Sequence, residues 1–128
     1  MTNPSLLRIQ SRESRPGKFE LALSGRIDTI SADRLQETLA TILASSPRAI
    51  QLNMSGVSYI SSSGLGVIVS TIVRVRAHGG KFAMTELQAP VRKVFEIAAA
   101  LPEEAVFASE EEADRYFDAI QLKVRGAE

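Results

Sequence analysis

The chain has 128 residues, with 15 Lys plus Arg against 15 Asp plus Glu, one histidine and no cysteine. That length suits one ordinary domain, and its apolar content of 45% supplies a core and argues against disorder throughout. The charge balance excludes a general nucleic-acid binder or a polybasic membrane-surface protein, both of which need a basic face, and the missing cysteine excludes disulfides, thiolate metal sites and thiol catalysis.

In chain order, Met1-Thr2-Asn3-Pro4-Ser5 has no basic region followed by a long apolar stretch, so no signal peptide is expected. Residues 6–10 and 18–24 read as strands. Phe19, Leu21 and Leu23 alternate with polar and small residues, the period of a half-buried strand, and Arg15-Pro16-Gly17-Lys18 marks a hairpin turn. Residues 31–45 read as a helix with Leu35, Leu39, Ile42 and Leu43 on one face, Ser31 as N-cap, Asp33 in the first turn and Pro47 beyond its end.

Residues 48–54 and 81–85 read as strands, and the element between them decides the fold. Its β-branched residues suit a strand by propensity. A helical wheel accounts for it better, placing Leu65, Ile68, Val69, Ile72, Val73 and Val75 on one arc of roughly 160° with Ser70, Arg74 and His78 opposite. Residues 62–78 are therefore expected to be a helix, stopped by Gly79-Gly80. The run Val67 to Val75, broken by Ser70, Thr71 and Arg74, is too short and too polar to span a bilayer. Further helices are expected from about Pro90 to Ala99 and from about Glu110 to Ile120, the latter opened by a Ser109/Glu112 capping box. Alternation after the hairpin predicts an α/β domain over residues 1–120, a mixed sheet of about four to five strands with helices packed on it. Residues 121–128 are expected to be a C-terminal tail.

Catalytic chemistry is sparse. His78, the only histidine, permits no paired-His metal site and falls at a solvent-facing helix end, and there is no Gly-x-Ser-x-Gly elbow. Glu110-Glu111-Glu112 reads as a solvated, dipole-favoured first turn. No metal, cofactor or enzymatic activity is expected. The unusual segment is Ser61-Ser62-Ser63-Gly64-Leu65-Gly66, where a helix opens after a strand and a short connection. Helix N-termini carry unpaired N–H groups and a positive partial charge, which suit phosphate. However, the segment lacks the third Gly of a dinucleotide fingerprint and the Gly-Lys-Ser/Thr of a P-loop.

Leu52-Asn53-Met54-Ser55-Gly56-Val57 through Ser62-Ser63-Gly64-Leu65-Gly66-Val67 resembles the signature of STAS domains, most closely that of bacterial anti-sigma factor antagonists. Ser24-Gly25-Arg26-Ile27-Asp28 is similar to that family's Gly-Glu-Ile-Asp turn. Ala77-His78-Gly79-Gly80-Lys81, Pro90 to Phe95, Val106-Phe107 and Ser109 to Ala113 resemble its later elements, so the resemblance runs over about residues 6–118.

The resemblance implies a STAS-like fold and a cytoplasmic partner switch. The unmodified protein binds an anti-sigma factor that is also a serine kinase, phosphorylation separates the pair, and a serine phosphatase resets it. Direct nucleic-acid contact and membrane insertion are not implied. The acceptor position falls on Ser62, with Ser61 and Ser63 as secondary candidates. The implied partner-binding set is Gly25, Arg26, Asp28, Ser61, Ser62, Ser63, Gly64, Leu65, Gly66 and Val67. Val67 enters from the wheel, which points it away from the apolar arc. Three family carboxylates are replaced here, by Ser61, Asn53 and Arg26, which bears on phosphorylation more than on fold. The alternatives are a STAS accessory subunit of a lipid or anion transporter, which needs no phosphorylation, and a nucleotide or small-ligand sensor.

Overall fold

A computed structural model describes residues 6–98 and 106–115. Its elements are β1 (Arg8–Arg15), β2 (Lys18–Ile27), α1 (Thr29–Leu43), β3 (Ala49–Ile60), α2 (Ser62–Ala77), β4 (Lys81–Thr85), α3 (Ala89–Ile97) and β5 (Val106–Phe107). A further helix, α4, is described over 110–115. The expected end of that helix at Ile120 and the tail at 121–128 lie outside the described residues.

The sheet has five strands in the order β1-β2-β3-β4-β5. The β1–β2 hairpin is antiparallel, and β2, β3, β4 and β5 run parallel to one another, so a helix carries the chain between each successive pair. One main core results. Leu21, Leu23 and Ile27 of β2, Ile50, Leu52 and Met54 of β3, and Phe82 and Met84 of β4 pack with Leu35 and Leu39 of α1, Ile68 and Ile72 of α2, and Val91 and Phe95 of α3. The opposite face carries a smaller cluster. Ala49 and Ala83 pack there with Ala113 of α4. Two cross-links hold α4 down: Lys18 Nζ donates to Asp114 Oδ1 at 2.6 Å, and Asn53 Nδ2 donates to Glu110 Oε1 at 2.9 Å.

Several expected boundaries shift. β1 runs to Arg15, well past residue 10, because an edge strand that is mostly exposed carries no alternation to read. α1 begins earlier than residue 31. Its N-cap is Asp28, not Ser31, and Ser31 is the third helical residue of a reciprocal capping box. Asp33 accordingly falls outside the first turn.

The largest difference is in β3, expected to end at residue 54 but continuing to Ile60. Its register against β2 advances from Asn53 to Tyr59 while β2 advances only from Ala22 to Arg26, so β3 holds two extra residues as bulges. Core-facing positions in this stretch are therefore Met54, Val57 and Ile60, spaced by three. Period-2 alternation disappears, although the strand continues. Gly56 sits in the first bulge, where a Cβ would lie 2.5 Å from Ser24 Cβ.

Candidate functional site

The bulged ends of β2 and β3 set two helix N-termini side by side. Ile27 is in register with Ile60, and the Ser61 N–H donates to the Ile27 carbonyl at 2.8 Å. α1 therefore starts from Asp28 and α2 from Ser61 at the same corner of the sheet.

Each cap is satisfied locally. The Ser31 N–H donates to Asp28 Oδ1 at 2.8 Å, the Asp28 N–H donates to Ser31 Oγ at 2.9 Å, and the Ser31 hydroxyl donates to the Arg26 carbonyl at 2.8 Å. The Ser31 N–H bond holds the Asp28 carboxyl below the usual carboxylate range. The Ser31 hydroxyl acts in the same direction, desolvation opposes both, and the Ile30 N–H and the Arg26 charge add weaker lowering effects. At α2 the Gly64 N–H donates to Ser61 Oγ at 3.1 Å. Ser61 is thus the structural N-cap, an interaction worth about 1 kcal/mol in typical helices.

Ser62 and Ser63 occupy the first two helical positions and are exposed. Among the described residues neither hydroxyl forms a hydrogen bond, so both are chemically accessible. Gly66 is exposed one turn further on, and a Cβ there would meet nothing within 4 Å. Two other glycines of the expected partner-binding set, Gly25 of β2 and Gly64 of α2, have internal explanations. Gly25 has φ +106°, and a Cβ would come within 2.4 Å of the Leu6 carbonyl oxygen. Gly64 is buried against Ile27 and Ile60. Leu65 is half-buried and packs on the core.

The wheel placed Val67 wrongly, and the structure corrects it. Val67 is half-buried against the main core, while Val73, expected on the buried arc, is 62% exposed. The buried stripe of α2 is Gly64, Ile68, Thr71, Ile72 and Val75. Thr71 moves the phase: its hydroxyl donates to the Val67 carbonyl at 2.8 Å, which satisfies the polar group within the helix and lets the side chain be buried.

The surface has two members that the sequence reading did not single out. The Arg26 guanidinium lies over the Tyr59 ring, 4.1 Å from its centroid, a cation–π contact of about 0.5–1 kcal/mol at an exposed site. The two residues are register partners across β2 and β3. Ile30, in the first turn of α1, is 81% exposed. Only the bulge count predicts the Arg26–Tyr59 pairing, and misplacing the α1 cap hid Ile30. Of the sequence-derived residues, Arg26, Ser62, Ser63 and Gly66 are exposed at this corner, whereas Gly25, Asp28, Gly64, Leu65 and Val67 shape it from beneath or beside. His78 is exposed at the far end of α2, as its C-cap.

A mixed five-stranded sheet with three helices on its main core face and paired, capped helix N-termini at one corner defines an α/β domain whose accessible chemistry is on a surface. The STAS domain model matches residues 11–113, and the chain belongs to that family. It is 33% identical over 79 residues to the anti-sigma-B factor antagonist of Bacillus subtilis, an alignment covering 62% of this chain and 72% of that one. Its fold is similar to that of the anti-sigma factor antagonist SpoIIAA in its unphosphorylated form, with a TM-score of 0.77 at 22% identity over 88% of this chain and 97% of that one. It is also similar to part of SLC26A9, with a TM-score of 0.69 at 16% identity over 80% of this chain and 20% of that one. Among the described residues no helix is long and apolar enough to cross a membrane.

Proposed function

We propose that this protein is an anti-sigma factor antagonist: a cytoplasmic protein that acts by binding rather than catalysis, and whose partner is an anti-sigma factor with serine-kinase activity. The observation that carries the reading is the pair of exposed, unbonded hydroxyls of Ser62 and Ser63 at the start of α2, beside the capped start of α1. The relatives' names support it.

Ser62 is the proposed switch. A kinase would transfer the γ-phosphoryl group of ATP to Ser62 Oγ, releasing ADP and the hydroxyl proton, and a serine phosphatase would hydrolyse the ester. Phosphate adds about −1.5 to −2 charge at pH 7. At the first position of α2 that charge faces the positive end of the helix, so the fold tolerates it. In a closed interface the same charge is costly to desolvate, so the complex separates. Ser61 is a poorer acceptor because its Oγ caps the helix through Gly64. Ser63, also exposed, is the remaining candidate.

The accessory-subunit reading draws on the SLC26A9 likeness, which at 16% identity concerns fold alone. Incubation with the kinase anti-sigma factors of the source genome and ATP, followed by intact-mass measurement, tests the switch. One added phosphate, removed by Ser62→Ala, is expected. Binding with no phosphate added would leave a binder without a switch, and neither binding nor phosphate would return the accessory-subunit reading.

A further inference from the structure

Arg26 differs from the other cations whose ion pairs are described. Arg12 bonds Glu20 at 2.9 Å, Arg92 bonds Glu96 at 3.1 Å and Lys18 bonds Asp114 at 2.6 Å. Arg26 is exposed and, among the described residues, has no ion-pair partner. Asp28 stands close enough for the Arg26 charge to act on its carboxyl, yet that carboxylate is engaged by the N–H and hydroxyl of Ser31. What holds the guanidinium is the Tyr59 ring at 4.1 Å.

Stacking on the ring face leaves the guanidinium's edge N–H groups available, in the planar fork that accepts a carboxylate by two parallel hydrogen bonds. A side chain already ordered by an aromatic ring also loses less conformational freedom when it pairs. The hydrogen bond from the Ser31 hydroxyl to the Arg26 carbonyl anchors the first turn of α1 there, and that turn carries the 81% exposed Ile30. Arg and aromatic residues are the types that dominate binding energy in protein interfaces, and a lone cation in a chain of balanced charge is no footprint for nucleic acid.

We infer that Arg26, held by Tyr59, selects the partner of this surface by pairing with a carboxylate on that partner, with Ile30 beside it contacting an apolar side chain. The occupant is a protein presenting an acidic residue next to an apolar one. This rests on the protein-binding function proposed above and adds the charge that the partner must carry.

The test titrates the wild-type chain and its Arg26 variants with the anti-sigma factors of the source genome. Arg26→Glu is expected to weaken binding about tenfold or more. Arg26→Lys should retain part of the affinity, and Arg26→Gln should flatten the dependence of Kd on salt. A Glu or Asp to Lys change on the partner should restore binding to Arg26→Glu. Thermal unfolding of each variant is measured alongside; should Arg26→Glu not fold, Arg26→Gln and its salt dependence decide. If wild type binds and the Arg26 variants bind as tightly with the same salt dependence, Arg26 has no selecting role, while the proposed function survives. If wild type binds none of these proteins, the proposed function falls and this inference with it.

Discussion

Gly64 lies directly beneath Ile27: a Cβ at position 64 would sit 2.4 Å from Ile27 Cγ2 and 3.0 Å from Ile60 Cγ1. That contact lets the start of α2 close onto the ends of β2 and β3, so the serine-bearing first turn is positioned by a missing methyl group.

Gly64→Ala is therefore expected to destabilise by about 1–3 kcal/mol, the usual range for overpacking a tight core. Gly66→Ala, two positions on and facing open space, should stabilise by about 0.5–1 kcal/mol through helix propensity alone. Thermal unfolding followed by circular dichroism separates them. Equal effects of the two substitutions would contradict the packing described.

Asp28 predicts a pH dependence with a definite sign. Its folded-state pKa lies below the unfolded value, so its contribution to stability is complete above the ordinary carboxylate range and is lost as pH falls through the folded pKa. Asp28→Asn keeps a capping oxygen but no titration. The difference in unfolding midpoint between wild type and Asp28→Asn should thus shrink as pH is lowered from neutral through the acid range. A difference independent of pH would show that the capping bond does not depend on the charge.

Ser62→Asp should leave the fold intact, or stabilise it by about 0.3–1 kcal/mol by placing a carboxylate at the positive end of α2. It should also abolish binding to the anti-sigma factor, while Ser62→Ala binds normally and takes up no phosphate. Paired measurements of melting temperature and Kd check this. A Ser62→Asp protein that binds like wild type would remove Ser62 from the interface.

Gln51 is 1% exposed on the α4 face of β3, and among the described residues neither polar atom of its amide has a hydrogen-bond partner. A buried unsatisfied polar group costs about 1–3 kcal/mol, so Gln51→Met, of similar length, should raise stability by that order. The urea midpoint reports it at constant m-value. A lower midpoint would mean that the amide is satisfied in solution.

Much of the fold was legible locally. Phe19-Leu21-Leu23 announced β2, the Leu35/Leu39/Ile42/Leu43 stripe announced α1, and the serine–glycine run announced the start of α2. Ser109 does accept from the Glu112 N–H at 3.2 Å, although the Glu112 carboxylate reaches the Ala108 N–H at 3.4 Å instead of completing the box on Ser109. The misreadings arose where a neighbour distant in sequence intervenes. Val73 left the buried face and Val67 came part-way onto it because the buried stripe of α2 is set by what it packs against, and a self-bonded Thr71 is admitted to it.

The sequence by itself determined the element types, most of the core and the family motif, because hydrophobic periodicity and capping chemistry are properties of a short stretch of chain. Only the tertiary structure decided the shape of the corner where α1 and α2 begin. The two bulges of β3 exist relative to β2, and they bring Arg26 opposite Tyr59 and Ile27 opposite Ile60. Those pairings join residues more than thirty positions apart, about which no local pattern carries information. The serine–glycine start of α2 and Arg26 were therefore readable from the chain, whereas the Tyr59 ring beneath the Arg26 guanidinium was not.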